Sequence, residues 1–515
     1  MQLSHSGAAT SAAFDEPNLV SAAGLVPVLG LARSAGLHEL ADNQLSVPTD
    51  KGANAGLKVA ALVAGMVAGA DSIDDMRLLR HGAMGRVFTG CYAASTLGSF
   101  LRAFTFGHVR QLDAVAARFL TGLAARTPLL AGEDEEPVLV DLDDTIIEVH
   151  GYAKQGAGFG YSKVRGLNAL LATASTVGSA PVVVAQRLRQ GAANSARGAK
   201  RLVADAQATV ARVAPGRPVL LRADAAFYGR NTIGTAARAG AQVSVTVKQD
   251  ARVRAAIGGI ADDGWIPIVY REAVYDEATG RWVSRAEVAE IPFVAFASRP
   301  KTHRVPGRLV VRRIPELNPN GQDGLFDVWR FHAFFTTSGL DTVTADKTHR
   351  RHAVIEQVHA DLKNSALAHL PSGMFTANAA WLVLAVMAFN LTRAAGTLTG
   401  PHLGKATTGT LRRTLIKCPG PGRHLGPTAR LAPAPRVALA ARLEPAVRPN
   451  LRTTHNRRHL TTPAAPSAQP KDTPNTPAAR PETPPCAEPE RCTLNQPRST
   501  RSGTSVDPGL EWGFT

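Results

Sequence analysis

Residues 138–145 (VLVDLDDT) constrain the chain most, because a run of apolar, strand-forming residues leads directly into carboxylates. Burying an unpaired charge is costly, so acids at the end of a buried strand need either a partner or a chemical use. Side chains alternate between the faces of a strand, which predicts Asp141 and Asp143 on one face and Asp144 on the other. Two carboxylates on one face suit a divalent cation. A strand that runs into an Asp-rich turn is the purely structural alternative.

The charge of the chain favours a polyanionic partner. There are 58 Lys and Arg residues against 41 Asp and Glu, which gives a net charge of +17. Nucleic acid is the first candidate for such a partner and an anionic membrane the second. Residues 401–515 hold 17 of the basic residues and 7 of the acidic ones, so much of the excess charge lies in the tail. The charge alone therefore says less about the part of the chain that folds.

The cysteines and the apolar segments favour a reducing cytoplasm. The four cysteines are scattered without CxxC spacing, which argues against a disulfide framework or a zinc site. The first residues lack the basic and apolar regions of a signal peptide. The most apolar windows, 57–70 and 379–391, are shorter than the roughly 18–20 residues that cross a bilayer. We expect them to be buried helices, with no membrane partner.

Changes of pattern divide the chain into five predicted segments. They are a helical domain at 1–130, alternating strands and helices at 137–250, an antiparallel β-rich segment at 251–335, a helical segment at 336–415 and a Pro- and Arg-rich tail at 419–515. The first is interpreted either as a DNA-binding domain or as a bundle with a solvated basic face. The tail lacks periodicity and is predicted to be disordered, and a shifted reading frame is an alternative origin for it.

Two further acids stand at informative positions. Asp224 is the last residue of the predicted strand 219–224 (VLLRAD), so it repeats the placement of an acid at a strand end. The third acid belongs to a helix in which four polar residues share a narrow sector beside an apolar stripe: His349, His352, Glu356 and Lys363. A solvated amphipathic helix is the alternative for this segment. A zinc site is disfavoured, because HExxH is absent.

In order, the three acids resemble those of the DDE transposases of bacterial insertion sequences, in the group whose ribonuclease-H-like core carries a β-rich insertion. Asp143-Asp144-Thr145 matches the Asp-x-Thr that opens their core, and residues 222–228 (RADAAFY) match their second motif. The third motif is Tyr, two residues, Arg, three residues, Glu, six residues and Lys. Its positions hold His349, His352, Glu356 and Lys363, so histidines replace Tyr and Arg, with Arg350 and Arg351 adjoining. The resemblance covers about residues 90–415.

The resemblance implies a fold class and a cofactor. The fold is expected to be α/β: a ribonuclease-H-like core, with a mixed sheet and flanking helices, interrupted by the antiparallel insertion and preceded by the helical domain. The expected cofactor is two Mg²⁺ or Mn²⁺ ions, and the catalytic acids and metal ligands are Asp143, Asp224 and Glu356. Phosphate contacts are expected from Lys363, His352, His349 and Arg351.

The resemblance also implies partners and a location. The expected partner is double-stranded DNA, both the element ends and the target. Joining two ends in one complex implies at least a homodimer. The expected location is the bacterial cytoplasm, at the nucleoid.

Two other functions fit parts of the sequence. Haloacid dehalogenase-like phosphatases begin with Asp-x-Asp-x-Thr, which would make Asp141 the nucleophile and Asp143 the acid/base. The sequence lacks the late acidic pair of that superfamily, and the phosphatase interpretation gives Glu356 no role. An inactive or host-adopted transposase-derived DNA-binding protein would show the same motifs as an active enzyme.

Overall fold

The structure is a computed structural model, and it describes most of the chain before residue 432. The described residues are 18–88, 91–268, 274–276, 281–283, 286–315, 329–425 and 428–431. Most of the tail predicted for 419–515 therefore lies outside the described residues, as do parts of the predicted insertion.

Helices dominate both ends of the described chain, and strands dominate its middle. The α-helices are α1 (Leu25–Ser34), α2 (Leu37–Gln44), α3 (Thr49–Gly52), α4 (Ala55–Ala68), α5 (Met84–Val87), α6 (Ala94–Arg102), α7 (Phe106–Ala124), α8 (Ala199–Val213), α9 (Arg230–Arg238), α10 (Ala251–Gly258), α11 (Thr342–Arg350), α12 (Val354–Lys363), α13 (Phe375–Leu398), α14 (Pro401–Gly404) and α15 (Thr408–Leu411). Short 3₁₀ turns lie at Asp74–Arg80, Ala225–Phe227, Asp262–Gly264, Lys301–His303 and Arg351–Ala353, and a π-helical turn lies at Arg412–Ile416.

The strands are β1 (Leu19–Val20), β2 (Val138–Glu148), β3 (Gly158–Phe159), β4 (Arg165–Ser175), β5 (Val182–Gln190), β6 (Val219–Ala223), β7 (Gln242–Thr246), β8 (Ile266–Ile268), β9 (Val274–Asp276), β10 (Arg281–Val283), β11 (Ala286–Ala295), β12 (Val305–Pro315), β13 (Trp329–Thr336), β14 (Gly420–Leu425) and β15 (Thr428–Leu431). The strands predicted at 138–145 and 219–224 appear as β2 and β6. The expectation that the first strand ends at its carboxylates is wrong, because β2 continues through Asp141, Asp143 and Asp144 to Glu148.

A mixed sheet of ten strands lies at the centre of the described residues, so the α/β prediction is confirmed. Its neighbours run in the order β3, β4, β2, β6, β7, β13, β12, β11, β8, and β5 also pairs with β4. Strands β2, β6 and β7 are parallel to one another, and the other pairings are antiparallel. Strand β6 ends at Ala223, opposite Leu142 of β2, while β2 continues beside β4 as far as Glu148, so the residue that follows β6 lies next to the middle of β2.

Residues 251–335 extend this sheet beyond β7. Strand β13 pairs antiparallel with β7 through Phe335 and Val245, and β12, β11 and β8 follow outward. The chain thus leaves the parallel strands after β7, adds antiparallel strands at the sheet edge, and then enters α11 and α12. This path places α12 over the face of β2.

Helix α13 fills the core between the sheet and the N-terminal helices. Its residues from Ala377 to Gly396 are all buried, and α1, α4, α6, α7 and β5 pack around it. The side chain of Asn390 bonds both the backbone N–H of Val183 (2.9 Å) and its carbonyl (2.8 Å), which ties α13 to β5. One continuous hydrophobic cluster runs from Val20 to Ile416. The predicted boundary at residue 130 therefore does not separate two hydrophobic cores.

Helix α13 is also the one helix of the described residues that is long and apolar enough to cross a membrane by length and composition. Its most apolar stretch is 89% buried inside the protein. Such burial is typical of a core helix, and length and composition are weak evidence for a membrane span. The apolar window 379–391 underestimated the length of this helix, because α13 continues through less apolar residues at both ends.

A small sheet joins the two ends of the described chain. Strand β14 pairs with β1, with Val20 opposite Gly420, and with β15 on its other side. Regular pairing thus continues past residue 419, where the tail was predicted to begin. The partner strand is some four hundred residues away in sequence, so no local pattern could have indicated the pairing.

Candidate active site on two neighbouring parallel strands

Asp143 and Asp224 occupy matching positions on neighbouring parallel strands. In the register of β2 and β6, Asp141 lies opposite Arg222 and Leu142 opposite Ala223, so the next residues are Asp143 and Asp224. Neighbouring strands lie about 4.8 Å apart, and alternate residues of a strand share a face. The structure therefore brings the first two predicted acids together above the pair formed by Asp141 and Arg222.

Asp224 is held by the turn that it begins. Its Oδ1 accepts a hydrogen bond from the backbone N–H of Ala226 at 3.0 Å, which caps the 3₁₀ turn. The residue is exposed on its outer side, yet its pKa is raised, first by desolvation of the carboxyl and second by the negative charge of Asp143. The hydrogen bond from Ala226 and the nearby His352 act in the opposite direction. A bound cation would relieve the repulsion between the two acids.

Asp143 is partly buried, and each of its carboxylate oxygens lies near another group of the protein. Its Oδ1 accepts the backbone N–H of Asp144 at 2.7 Å. Its Oδ2 lies 3.5 Å from Nε2 of His359, a side chain of α12 that is only 7% exposed. Neither ring nitrogen of His359 has a hydrogen-bond partner among the described residues. A buried polar group left in this state costs about 1–3 kcal/mol.

Asp141 lies below Asp143 in a fully buried ion pair with Arg222. Nε of Arg222 donates to Oδ1 and Nη2 donates to Oδ2, each at 2.7 Å, and the two side chains are 0% and 1% exposed respectively. The remaining Nη1 donates to the carbonyl of Thr348 at 2.5 Å, at the end of α11. A nucleophile must reach its substrate, so the phosphatase interpretation of Asp141 is wrong.

The two histidines of the third motif attach the same helical segment to the sheet. Nδ1 of His352 lies 3.1 Å from Oδ1 of Asp141. His349 lies between two hydroxyls, with Nδ1 2.9 Å from Ser244 and Nε2 3.0 Å from Thr246, and its ring stacks on Phe334 at 4.0 Å. Burial, and then the positive charges around it, lower the pKa of His349 to about 3. Both nitrogens of His349 are thus occupied, and the ring is neutral.

The helix that carries these residues is not continuous. The expected single helix ends at Arg350, passes through the 3₁₀ turn Arg351–Ala353, and continues as α12. A 3₁₀ turn aligns residues three apart, so His352 still faces the sheet in line with His349. The turn therefore keeps both histidines on the side that docks against the sheet.

Glu356 stands in the first turn of α12 and is exposed. Ile355, Val358 and Leu362 form the buried stripe of the helix, as predicted. Lys363 ends the helix, and partial burial lowers the pKa of its ammonium. A second anchor fixes the far side of α12.

That second anchor is the buried Asp361. It accepts from the backbone N–H of Thr408 at 2.9 Å and from Nη2 of Arg393 at 3.2 Å. Arg393 belongs to α13 and Thr408 begins α15. Helix α12 is therefore tied to the sheet on one side and to the core helix on the other.

Asp144 points to the opposite face of β2, as the alternation predicted. Its Oδ2 accepts from Nη2 of Arg189 at 2.7 Å and from the amide of Asn168. Arg189 also donates to the carbonyls of three residues in the following loop: Asn194, Ser195 and Arg197. Asp144 is thereby a structural acid that holds the loop before α8.

The sequence analysis assigned no role to Arg222 or His359. Arg222 stood within the second motif, two residues before Asp224, and its alternation with Asp224 is the signal that both share a face. His359 follows Glu356 by three residues, which is the spacing for neighbours on a helix surface. Its burial against Asp143 depends on how α12 docks, and no local pattern shows that.

Among the described residues, no three His, Cys, Asp or Glu side chains converge closely enough to hold a metal ion. The donors that are present fit a hard divalent cation by type, because they are carboxylate oxygens. They also fit by charge, because Asp143 raises the pKa of Asp224. The site is thus a pair of acids with a third acid on the helix above.

The fold and the site define a mixed α/β protein with paired carboxylates on neighbouring parallel strands, where β6 ends beside the middle of β2. A family model described as Transposase DDE domain group 1 matches residues 4–423. The chain belongs to this family, so it is a DDE transposase, and DNA is the substrate that this family implies. The family is generally dependent on divalent metal ions. No curated protein matches the chain.

Proposed function

We propose that the protein is the transposase of a bacterial insertion sequence, which cleaves the terminal inverted repeats of its element and joins them to target DNA. The observation that carries this proposal is the matched position of Asp143, within β2, and Asp224, directly after β6, beneath the helix of Glu356. These acids match the three motifs of the family in order. The catalytic acids and metal ligands in the proposal are therefore Asp143, Asp224 and Glu356.

We infer a ribonuclease-H-like core from the order of the strands. Strands β5, β4 and β2 form an antiparallel series, and β6 and β7 continue the sheet parallel to β2. Helix α8 leads from β5 to β6, and α9 connects the parallel strands β6 and β7. Residues 251–335 then constitute an insertion between β7 and α11, as the resemblance implied.

The proposed cofactor is two Mg²⁺ or Mn²⁺ ions. When bound, they would stabilise the charge that develops on the attacking and leaving oxygens of the phosphodiester. Asp143 and Asp224 stand side by side on β2 and directly after β6, and Glu356 stands on α12, which packs against β2. Since no three acids converge among the described residues, the proposal requires that Glu356 joins the two aspartates when DNA is bound.

Basic residues around α12 are proposed to bind phosphates. Lys363 offers a partly desolvated ammonium, which an anionic phosphate would stabilise in its charged form. Arg351 is exposed on the 3₁₀ turn. His352 uses Nδ1 for Asp141, and Nε2 is left for a phosphate. His349 has both nitrogens bonded, so we assign it to docking the helix rather than to DNA.

The N-terminal helices are proposed to bind the element ends, and the active form to be a homodimer or a larger assembly. Cutting two ends in one complex requires two active sites, and each chain supplies one pair formed by Asp143 and Asp224. The proposed location is the bacterial cytoplasm, on nucleoid DNA.

The test uses duplex DNA made from the sequences that flank the gene. Purified full-length protein with Mg²⁺ or Mn²⁺ is expected to release ends with a 3′-hydroxyl. Single replacements Asp143→Ala, Asp224→Ala and Glu356→Ala are expected to abolish this cleavage while the protein still shifts the duplex in a gel. Asp263→Ala, at an exposed acid of the insertion, serves as the matched control and should cleave normally. Metal-dependent cleavage that persists in any of the three variants would overturn the assignment.

One observation favours the second candidate, an inactive or host-adopted DNA-binding protein: no three acids of the described residues converge. The same assay separates the two. End binding without cleavage under either metal, and a gene without flanking inverted repeats, would support the second candidate.

A further inference from the structure

The imidazole of His359 is buried between α12 and β2 without a hydrogen-bond partner in the described residues. Buried polar side chains are nearly always hydrogen-bonded, so an exception of this kind requires a physical reason. The nearest carboxylate oxygen named for it is Oδ2 of Asp143, 3.5 Å from Nε2. This distance is longer than a hydrogen bond, but it connects two groups whose chemistry is complementary.

The surroundings of Asp143 show why this contact matters. Oδ1 is already held by the backbone N–H of Asp144 at 2.7 Å, so the carboxylate can turn only by moving Oδ2. His359 stands on the side toward which Oδ2 points. Glu356 lies one turn earlier on α12, so a single helix carries both the third acid and the group that faces the first.

We propose that His359 is a positioning residue, whose Nε2–H donates to Oδ2 of Asp143 and fixes that carboxylate for metal binding. The inference rests on the proposed function, because it assumes that Asp143 is a metal ligand. Carboxylate ligands of metals are in turn hydrogen-bonded, and such outer contacts set their orientation. Contacts at catalytic groups are frequently long in the free enzyme and shorten when the complex assembles.

Three variants of the full-length protein test this role. His359→Gln places an amide donor near the position of Nε2, whereas His359→Asn places its amide near Nδ1. His359→Leu fills the space with no polar atom. The probe is Mn²⁺, followed through the loss of its free-ion electron paramagnetic resonance signal and through the Mn²⁺ midpoint of cleavage, both with the flanking-sequence duplex present.

The expected result has two parts that a merely structural histidine would not produce. His359→Leu and His359→Asn raise the Mn²⁺ midpoint about 10–100-fold, and His359→Gln restores most of the affinity. Without metal, His359→Leu melts at the same temperature as the wild type or higher, because an unpaired buried imidazole has been removed. Loss of metal affinity together with retained stability identifies positioning.

The result that overturns the inference is a Leu variant with the Mn²⁺ midpoint of the wild type, or a Gln variant no better than the Leu variant. Asp143→Ala is measured in parallel. If Asp143→Ala cleaves and binds Mn²⁺ like the wild type, the proposed function fails. If Asp143→Ala is inactive while His359→Leu is unchanged, only the role of His359 fails.

Discussion

Arg222 donates two parallel hydrogen bonds of 2.7 Å to Asp141, in an ion pair that solvent does not reach. The pair lies directly beneath Asp143 and Asp224, one alternation earlier on each strand. Through the carbonyl of Thr348, Arg222 also holds the end of α11. One ion pair thus fixes the two strands and the helical segment from which the proposed catalytic acids project.

Breaking this pair from one side is expected to destabilise the protein strongly. Arg222→Met leaves Asp141 as a buried charge without its counter-ion and should reduce the free energy of unfolding by about 3–5 kcal/mol. The double variant Asp141→Leu/Arg222→Met should lose clearly less than the sum of the two single losses. Urea unfolding of the metal-free protein measures the two single variants, Arg222→Met and Asp141→Leu, and the double variant.

The control is Arg201→Met, at an exposed arginine that pairs with Asp205. It should change stability by no more than about 0.5 kcal/mol. Strictly additive losses at Asp141 and Arg222 would contradict the coupling.

Asp224 is expected to reduce the stability of the metal-free protein. Its pKa is raised in the folded state, so the charged form is disfavoured by folding, and stability rises as the pH falls through the raised pKa. Asp224→Asn removes the charge and keeps the cap on Ala226, so it should be slightly more stable than the wild type at pH 7. The gain is small, because solvent screens an exposed residue.

Asp224→Ala separates the two effects. It removes the charge and the cap together, and losing a cap costs about 0.5–2 kcal/mol. Thermal unfolding should therefore rank the Asn variant above the Ala variant, with neither able to cleave DNA. An Asn variant less stable than the wild type would refute the electrostatic account.

His349 predicts a loss of stability in acid. Its pKa is about 3 in the folded protein against about 6.5 for a free histidine, so the unfolded chain binds the extra proton first. The contribution of His349 to the free energy of unfolding is therefore complete above about pH 6.5. Below that pH it falls by up to about 1.4 kcal/mol per pH unit. Urea unfolding between pH 8 and pH 4.5 measures the slope.

His349→Gln keeps a polar side chain between Ser244 and Thr246 but does not titrate. The free energy of unfolding of each protein at pH 8 is its reference value. On acidification the variant should lose less of this free energy than the wild type. Parallel pH curves for both would show that His349 is not the group responsible.

Asp144 and Asp143 are expected to separate stability from activity. Asp144→Ala takes the carboxylate from the buried Arg189 and should cost about 2–3 kcal/mol, yet at a temperature where it stays folded it should still cleave DNA. Asp143→Ala should keep its stability and lose the cleavage of DNA. Unfolding and cleavage measured on the same preparations test this, and an inactive, fully folded Asp144→Ala variant would contradict it.

The sequence alone predicted much of this arrangement where the information is local. Alternation along β2 correctly separated Asp144 from Asp141 and Asp143, and Asp224 was expected at a strand end. The pairing of Asp141 with Arg222 was not predicted, because it depends on the register between strands that are 81 residues apart in this contact. A single strand cannot reveal which residue will lie opposite it.

The helical segment shows the same limit. Periodicity gave the buried stripe of α12 but not the 3₁₀ turn at Arg351–Ala353, which reflects the docking of His349 and His352 on the sheet. The family resemblance implied a phosphate contact for His349, whose hydroxyl partners, Ser244 and Thr246, come from β7. Contacts of that kind become visible only when the sheet is assembled.

The central place of α13 has a consequence for how the protein is made. A ribosome releases α1, α4, α6 and α7 long before residues 375–398, so these helices must wait for the helix around which they pack. A copy of the gene that is interrupted before this point encodes helices whose apolar faces stay uncovered, and such a fragment is a substrate for proteases rather than a lasting protein. A gene interrupted there is therefore not expected to produce a stable N-terminal piece that competes with the complete transposase.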